Sequence, residues 1–380
     1  MDPATAALAV SIYANGVPFD FGFNNPTEIE TNAIFGDITW QATDNLEVMA
    51  GFRYDKEKQT INNTQTGSIG APLPDPAQFG PLAPVIAGIN GFLLSEANNA
   101  NQPGMIRNTD NNAFLPKLGL TYDLSEQARM SFVVQRGYRS GGAGVNSARG
   151  TVHTFEQEFT WNYEASLRSE WLDNKLIVNG NLFYIDWEDQ QVAVQLSENV
   201  FDIETQNAGS SEVYGAEIEI QYQATDNLST FASLGYSKTE FKEFIASLVS
   251  GDQDFSGQEF PNAPARTLAM GGVYENDKGF YASLDLTYAS DRFSQVGEEQ
   301  IPGEPEFIGK DISSRTIVNT KIGYRTPDYG VYLVANNLFD KQYNVSRAFL
   351  VNDGTTDANR AEIGRWAEFR IVGVTVEASF

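Results

Sequence analysis

Residues 135–149 read QRGYRSGGAGVNSAR and place Arg136, Arg139 and Arg149 in one glycine-rich stretch. Converging guanidinium groups grip anions through bidentate hydrogen bonds, so this triplet suits an anionic small ligand. The plainer account has Arg136 and Arg139 lining a polar wall or meeting phosphates at a membrane surface. The chain's one histidine, His153, follows. Imidazole can ligate a metal such as iron, but a lone histidine more often serves as an ordinary loop residue. Residues 252–257, DQDFSG, open like a calcium loop, yet its twelfth position holds Ala263 where a bidentate glutamate belongs. A solvated acidic loop is the simpler reading. Glu217 and Glu219 resemble an acid–base pair. Two same-parity neighbours on one strand explain them without chemistry. There is no cysteine, which excludes disulfides and thiolate metal sites. With no phosphate-cradling loop or nucleophile motif, neither an enzyme nor a resident cofactor is expected.

The elements that would position these residues alternate with period 2. Tyr214, Ala216, Ile218, Ile220 and Tyr222 alternate with Gly215, Glu217, Glu219 and Gln221. Phe280, Ala282, Leu284, Leu286 and Tyr288 alternate with Tyr281, Ser283, Asp285 and Thr287. At the C-terminus Val372, Val374, Val376, Ala378 and Phe380 share one face. No run of 18 apolar residues occurs, so no transmembrane helix is expected. Half-apolar strands of about ten residues instead suit an antiparallel transmembrane β-barrel. Tyrosines recur at the ends of the apolar faces, as in interfacial girdles, and Glu217, Glu219, Asp285 and Lys321 take the lumen face. Acidic residues number 50 and basic residues 25, a net charge of −25 that excludes a nucleic-acid partner.

Short turns near 42–45, 125–127, 173–174, 225–227, 275–278 and 326–329 separate long segments at 58–111, 140–154, 193–210, 243–265, 291–313 and 346–364. Tight periplasmic turns with long extracellular loops fit an outer-membrane barrel. About 13 strands are expected, starting near Ala33, Asn45, Ala113, Ala128, Thr160, Lys175, Val213, Leu228, Arg266, Phe280, Arg315, Gly330 and Trp366. Residues 7–14 offer one more. The division is a stub over 1–32, holding a partial strand or a loop, and a barrel portion over 33–380. An odd count does not close a bacterial barrel, so further strands are expected outside this sequence. Residues 1–15 lack the basic region of a signal peptide. Phe201, Phe255, Phe260, Phe307 and Phe349 fall in loops, as an aromatic ligand platform or as loop–loop packing. Phe183, Ile185 and Trp187 read as interface anchors.

Two segments carry a family resemblance. Residues 334–347, VANNLFDKQYNVSR, hold Asn337, Leu338, Phe339, Asp340 and Tyr343. Residues 161–192 hold Asn162, Tyr163, Glu164, Arg168 and Ser169, followed by FYIDWEDQ. Both resemble the C-terminal barrel of TonB-dependent outer-membrane receptors, with Ser166 where that family often has glycine. The terminal Phe380 fits the family's cue to the barrel-assembly machinery. The resemblance implies the C-terminal 13 strands of a 22-stranded barrel, with the plug domain outside this chain. It also implies residence in the outer membrane of a Gram-negative bacterium, among lipid and lipopolysaccharide. The function implied is energy-coupled uptake of a scarce ligand, foremost a ferric siderophore, driven by the TonB protein through the plug region. The alternatives are a passive porin and a soluble secreted adhesin.

Overall fold

The computed structural model describes residues 11–14, 16–99, 101–146, 148–197, 202–249, 251–294, 296, 312–351 and 360–378. Phe201, Phe307 and Phe380 lie outside the described residues, as does the side chain of Phe349.

Strands β1 (Phe19–Asn24) and β2 (Thr27–Thr43) come first. The long arms β3 (Leu46–Ile69) and β4 (Gln102–Ser125) follow, with helix α1 (Ala83–Asn99) between them. β5 (Ala128–Arg139) leads into a small hairpin, β6 (Gly142–Asn146) and β7 (Thr151–Phe155), and β8 (Glu158–Trp171) returns. β9 (Leu176–Glu188) leads to β10 (Gln191–Gln195) and β11 (Ile203–Asn207), with return along β12 (Ser210–Thr225). β13 (Leu228–Glu243) leads to β14 (Ile245–Leu248) and β15 (Gly251–Asp254), with return along β16 (Arg266–Glu275). The last members are β17 (Phe280–Ala289), β18 (Arg315–Arg325), β19 (Tyr329–Asn336), the hairpin β20 (Asn344–Val351) and β21 (Arg360–Trp366), and β22 (Ile371–Ala378).

One antiparallel sheet contains all 13 expected strands, and each small hairpin forms a two-stranded sheet of its own. The short turns share one end of the large sheet, and the small hairpins and α1 share the other. Three of the short turns use one device. Thr43 Oγ1, Ser125 Oγ and Thr225 Oγ1 accept the backbone N–H groups of Asn45, Gln127 and Asn227 at 3.2–3.3 Å. A hydroxyl that mimics a backbone acceptor closes such a turn without glycine.

Register fixes the faces. Tyr163, Tyr184 and Tyr214 stand opposite one another across three strands, with Tyr163 and Tyr184 rings 6.1 Å apart. Ile218 faces Leu234, and Leu284 shares that outer face. Leu182, Leu284 and Leu333 are each more than half exposed, which in a protein wall calls for a lipid solvent. Tyr214 and Tyr222 are eight positions apart, about 26 Å along the strand and about 20 Å in depth at a tilt of about 40°, so both rings lie toward the rims of an apolar band about 25 Å tall. On the other face Glu217 lies opposite Asn181, and Asn319 Nδ2 donates to Asp285 Oδ2 at 2.8 Å. Lys321 sits 3.6 Å from the Tyr332 ring centroid and pairs with Glu377 at 3.2 Å.

Several boundaries differ from the sequence pattern. β2 begins at Thr27 rather than near Ala33, and β22 begins at Ile371 rather than near Trp366, which belongs to β21. The expected connection over 58–111 is shorter, because β3 runs to Ile69 and β4 starts at Gln102. Polar residues continue the ladder there, where pairing needs no apolar face. Of residues 7–14, only 11–14 are described and they form a helical turn. The fourteenth strand is β1 instead. β1 and β2 pair with successive stretches of β3, on either side of Asn25 and Pro26. Proline has no N–H for a ladder, which accounts for the break. Among the described residues the sheet is open: β2 and β22 do not pair with each other.

Candidate functional site

The small hairpins form a layer with its own apolar centre. Val192, Val194 and Leu196 alternate along and beyond β10 and meet Ala208, Phe241, Phe244, Ala246 and Phe255, all buried. The Phe241 ring lies 5.1 Å from Phe244 and 4.6 Å from Phe260, and Phe244 lies 5.6 Å from Phe255. Phe255 and Phe260 are thus loop–loop packing, not a bare platform. Trp187 meets Phe260 edge-on at 6.2 Å. This overturns the reading of Phe183, Ile185 and Trp187 as interface anchors. They share the parity of Asn179 and Asn181, opposite to the lipid-facing Leu182 and Tyr184.

The β6–β7 hairpin is fastened to the inner side of the wall. Asn111 Nδ2 donates to Gly141 O, and Gly141 N–H returns to Asn111 Oδ1, both at 3.0 Å. A Cβ on Gly141 would lie 2.7 Å from both the Phe155 carbonyl oxygen and the Gln157 backbone nitrogen, so that close approach needs glycine.

Around this hairpin the structure places the four candidate residues. Arg149 makes a bidentate pair with Asp202, Nε to Oδ1 at 2.7 Å and Nη2 to Oδ2 at 2.9 Å. Ser197 Oγ and Asn146 Nδ2 also donate to Asp202, each at 2.6 Å. Burial pushes the Asp202 carboxyl upward, and these three donors more than offset it, so its pKa falls below the ordinary value. Arg139 pairs with the buried Glu158 at 2.9 Å and donates to Gln191 O at 3.2 Å. Arg136 stacks its guanidinium 3.9 Å from the Phe159 ring centroid. His153 Nε2 accepts the Thr205 N–H at 3.0 Å, and burial lowers its pKa against the pull of Glu204. Arg149 and His153 therefore come together at the β6–β7/β10–β11 contact. Arg139 lies at the base of that contact, and Arg136 stays on the wall strand β5. Asp202, Glu158, Asn111 and Asn146 complete the arrangement and carry no motif. Acidic residues 53 and 19 positions from their arginines offered no local signal.

The remaining sequence features resolve as structure. Asp252 accepts from Ser247 Oγ at 2.9 Å, and Asp254 accepts from the Ser256 N–H at 2.9 Å. Among the described residues no three His, Asp or Glu side chains are placed to share a metal ion. Asn337 has φ 50°, a left-handed conformation that asparagine tolerates. Its Nδ2 donates to Lys341 O at 3.0 Å and Glu368 O at 3.3 Å, and its Oδ1 accepts the Lys341 N–H at 2.8 Å. Leu338 N–H donates to Val318 O at 2.8 Å, and Asp340 Oδ1 accepts the Arg370 N–H at 2.9 Å. Phe339 is exposed, and Tyr343 receives the Arg315 guanidinium 4.9 Å from its ring centroid. The NLFD segment thus ties β18 and β19 to the approach to β22. In the other motif Tyr163 faces lipid, Asn162 and Glu164 take the lumen face, and the Ser169 hydroxyl bonds Val178 O at 2.6 Å.

A lipid-facing wall, turns at one end and a fastened loop layer at the other define an outer-membrane β-barrel. Residues 5–338 match the family model described as TonB dependent receptor-like, beta-barrel. The chain belongs to the TonB-dependent receptor family. It is 27% identical over 190 residues to the ferric-pyoverdine M114 receptor PbuA of Pseudomonas sp. (strain M114), covering 48% of this chain and 21% of that protein. It is 20% identical over 359 residues to the pesticin receptor of Yersinia pestis, covering 93% and 44%. The fold resembles the ferric yersiniabactin uptake receptor FyuA of Yersinia pestis, with a TM-score of 0.67, 18% identity, and 95% and 47% coverage. It also resembles the siderophore receptor PiuA of Acinetobacter baumannii, with a TM-score of 0.66, 15% identity, and 93% and 43% coverage. The chain spans less than half the length of the curated relatives it matches.

Proposed function

We propose that this chain supplies the barrel wall and loop layer of an energy-coupled receptor that takes up a ferric siderophore across the outer membrane. The observation that carries the reading is the loop layer, cross-braced at the lumen mouth, on a barrel similar to receptors named for ferric pyoverdine and yersiniabactin. Arg139 and Arg149 are the best candidates for contacting an anionic chelate. Their carboxylate partners hold them in place while 57% and 39% of their side chains stay accessible. Arg136 serves the packing of the wall first, against Phe159, and His153 that of the layer. The open edges of β2 and β22 are closed in the membrane by further strands outside this chain. A plug there links the lumen to TonB, and lipopolysaccharide surrounds the wall. The barrel-assembly machinery engages the C-terminal strand.

The test is uptake of radiolabelled iron by cells carrying the full-length gene as their one siderophore receptor. Uptake is expected with an intact TonB protein and is lost without it. TonB-independent uptake, or a large ungated conductance in planar bilayers, would indicate a porin instead.

A further inference from the structure

The single histidine lies where two loop hairpins meet, and its surroundings suit one protonation state. His153 is on β7, and the Thr205 N–H that its Nε2 accepts at 3.0 Å is on β11. An acceptor Nε2 places the neutral ring's proton on Nδ1. Nδ1 is buried with no hydrogen-bond partner among the described residues. A Cβ on Gly144 would come within 2.7 Å of the imidazole, and Phe155 flanks the ring at 6.3 Å. Glu204, on β11, is the charged group acting on the ring, and Asn146 Nδ2 donates to it at 3.3 Å. The neighbouring charges, Arg149 and Asp202, are committed to each other.

We propose that His153 is a pH-sensitive latch: neutral, it holds β7 to the Thr205 amide of β11, and protonated, it releases that contact. An imidazolium has two N–H donors and no acceptor. Nδ1–H lacks a partner among the described residues in either state. What protonation adds is an Nε2–H aimed at the Thr205 N–H, donor against donor, in place of the bond Nε2 accepts. Such an unmet buried donor is costly. The closed state therefore binds fewer protons than the open one. In keeping with this, burial lowers the His153 pKa despite Glu204. The sign follows from linkage. Closure is fully favoured above the ordinary histidine value of about 6.5, and it weakens as pH falls from there toward the lower closed-state value. Opening frees β7 from β11 at Thr205, while Arg149 and Asn146 keep the β6–β7 turn on Asp202 and Asn111 still holds the Gly141 end to the wall. The latch lies on the extracellular side, where the medium sets the pH.

One titration decides the point, because this chain holds a single histidine. In the full chain assembled in lipid, ¹⁵N-imidazole shifts of His153 are followed from about pH 7.5 to about pH 5. The expected result is an Nδ1–H tautomer with a midpoint below about 6.5. Protection of the Thr205 amide, relative to its intrinsic exchange rate, should fall in the same window. An Nε2–H tautomer, or a midpoint at or above about 6.5, would overturn the latch. In His153→Gln the side-chain oxygen can still accept the Thr205 N–H but does not titrate. Its Thr205 protection should stay constant with pH, and an unchanged pH dependence there would also overturn the proposal. Should that variant fail to assemble, the wild-type tautomer and midpoint still decide.

Discussion

The wall and the loop layer are built for different solvents. In the wall, leucine, isoleucine and valine point outward and stay exposed, and the polar residues are turned toward the lumen. In the loop layer, Phe241, Phe244 and Phe255 are buried among residues from four separate segments. The wall is a sheet that lipid must complete. The layer is a small water-soluble core mounted on it. A substitution should therefore be felt according to the region's solvent, not according to the hydrophobicity of the residue replaced.

Phe241→Ala should have the largest effect, about 3–5 kcal/mol off the local stability of the layer. Hydrogen exchange should rise across 191–207 and 245–255 and stay unchanged in β12. Faster exchange throughout the wall would show that the two regions are one cooperative unit. Ile220→Arg comes next: a charge on the lipid face costs about 2–4 kcal/mol at the midplane and about 0–1 at the rim, and Ile220 lies between the two, so about 1–3 kcal/mol is expected. Gln221→Arg, one residue along on the lumen face, should cost under about 0.5 kcal/mol. Urea unfolding in lipid vesicles compares them, and equal losses would refute the face assignment. Arg149→Ala strips the buried Asp202 of a bidentate partner and should cost the layer about 1.5–3 kcal/mol. A wall-wide change in exchange would place this pair outside the layer. Lys242→Ala should have the smallest effect. It removes pairs of 3.0 Å to Glu240 and 3.4 Å to Glu212 on accessible wall, where solvent screens them, and should leave the urea midpoint almost unmoved. High salt should erase even that small shift, and a salt-independent loss would mean the pair is packed rather than screened.

The same contrast decides what could be read beforehand. Wall strands follow a period-2 code set by lipid on one side, so Tyr214 through Tyr222 and Phe280 through Tyr288 declare their faces locally. Phe183, Ile185 and Trp187 were harder, since around them both faces are apolar. The amides Asn179 and Asn181, of the same parity, were the clue to the lumen side. The layer has no such code. Its core joins β10 to β13–β15 across dozens of residues, and the partners of Arg139 and Arg149 are ordinary acidic residues elsewhere in the chain. Helix α1 carries no clear signal in the sequence, because its apolar residues form no regular stripe: Phe92 and Leu94 are exposed and Ile86 and Ala97 are buried.

The knot around Asn337 has a further consequence, for the order in which the sheet can form. β19 and β22 are neighbours in space yet are separated by the whole β20–β21 excursion. Closing so long a loop carries an entropic cost that grows with its length. The bonds from Asn337 to Glu368 and from Asp340 to Arg370 draw the two ends of the excursion together at its base. With that base pinned, the final strand need only zip along β19 from Asn336 and Ile371 toward Tyr329 and Ala378. The hairpin beyond the pin is then free to change in length and sequence across evolution, without moving the seam below it.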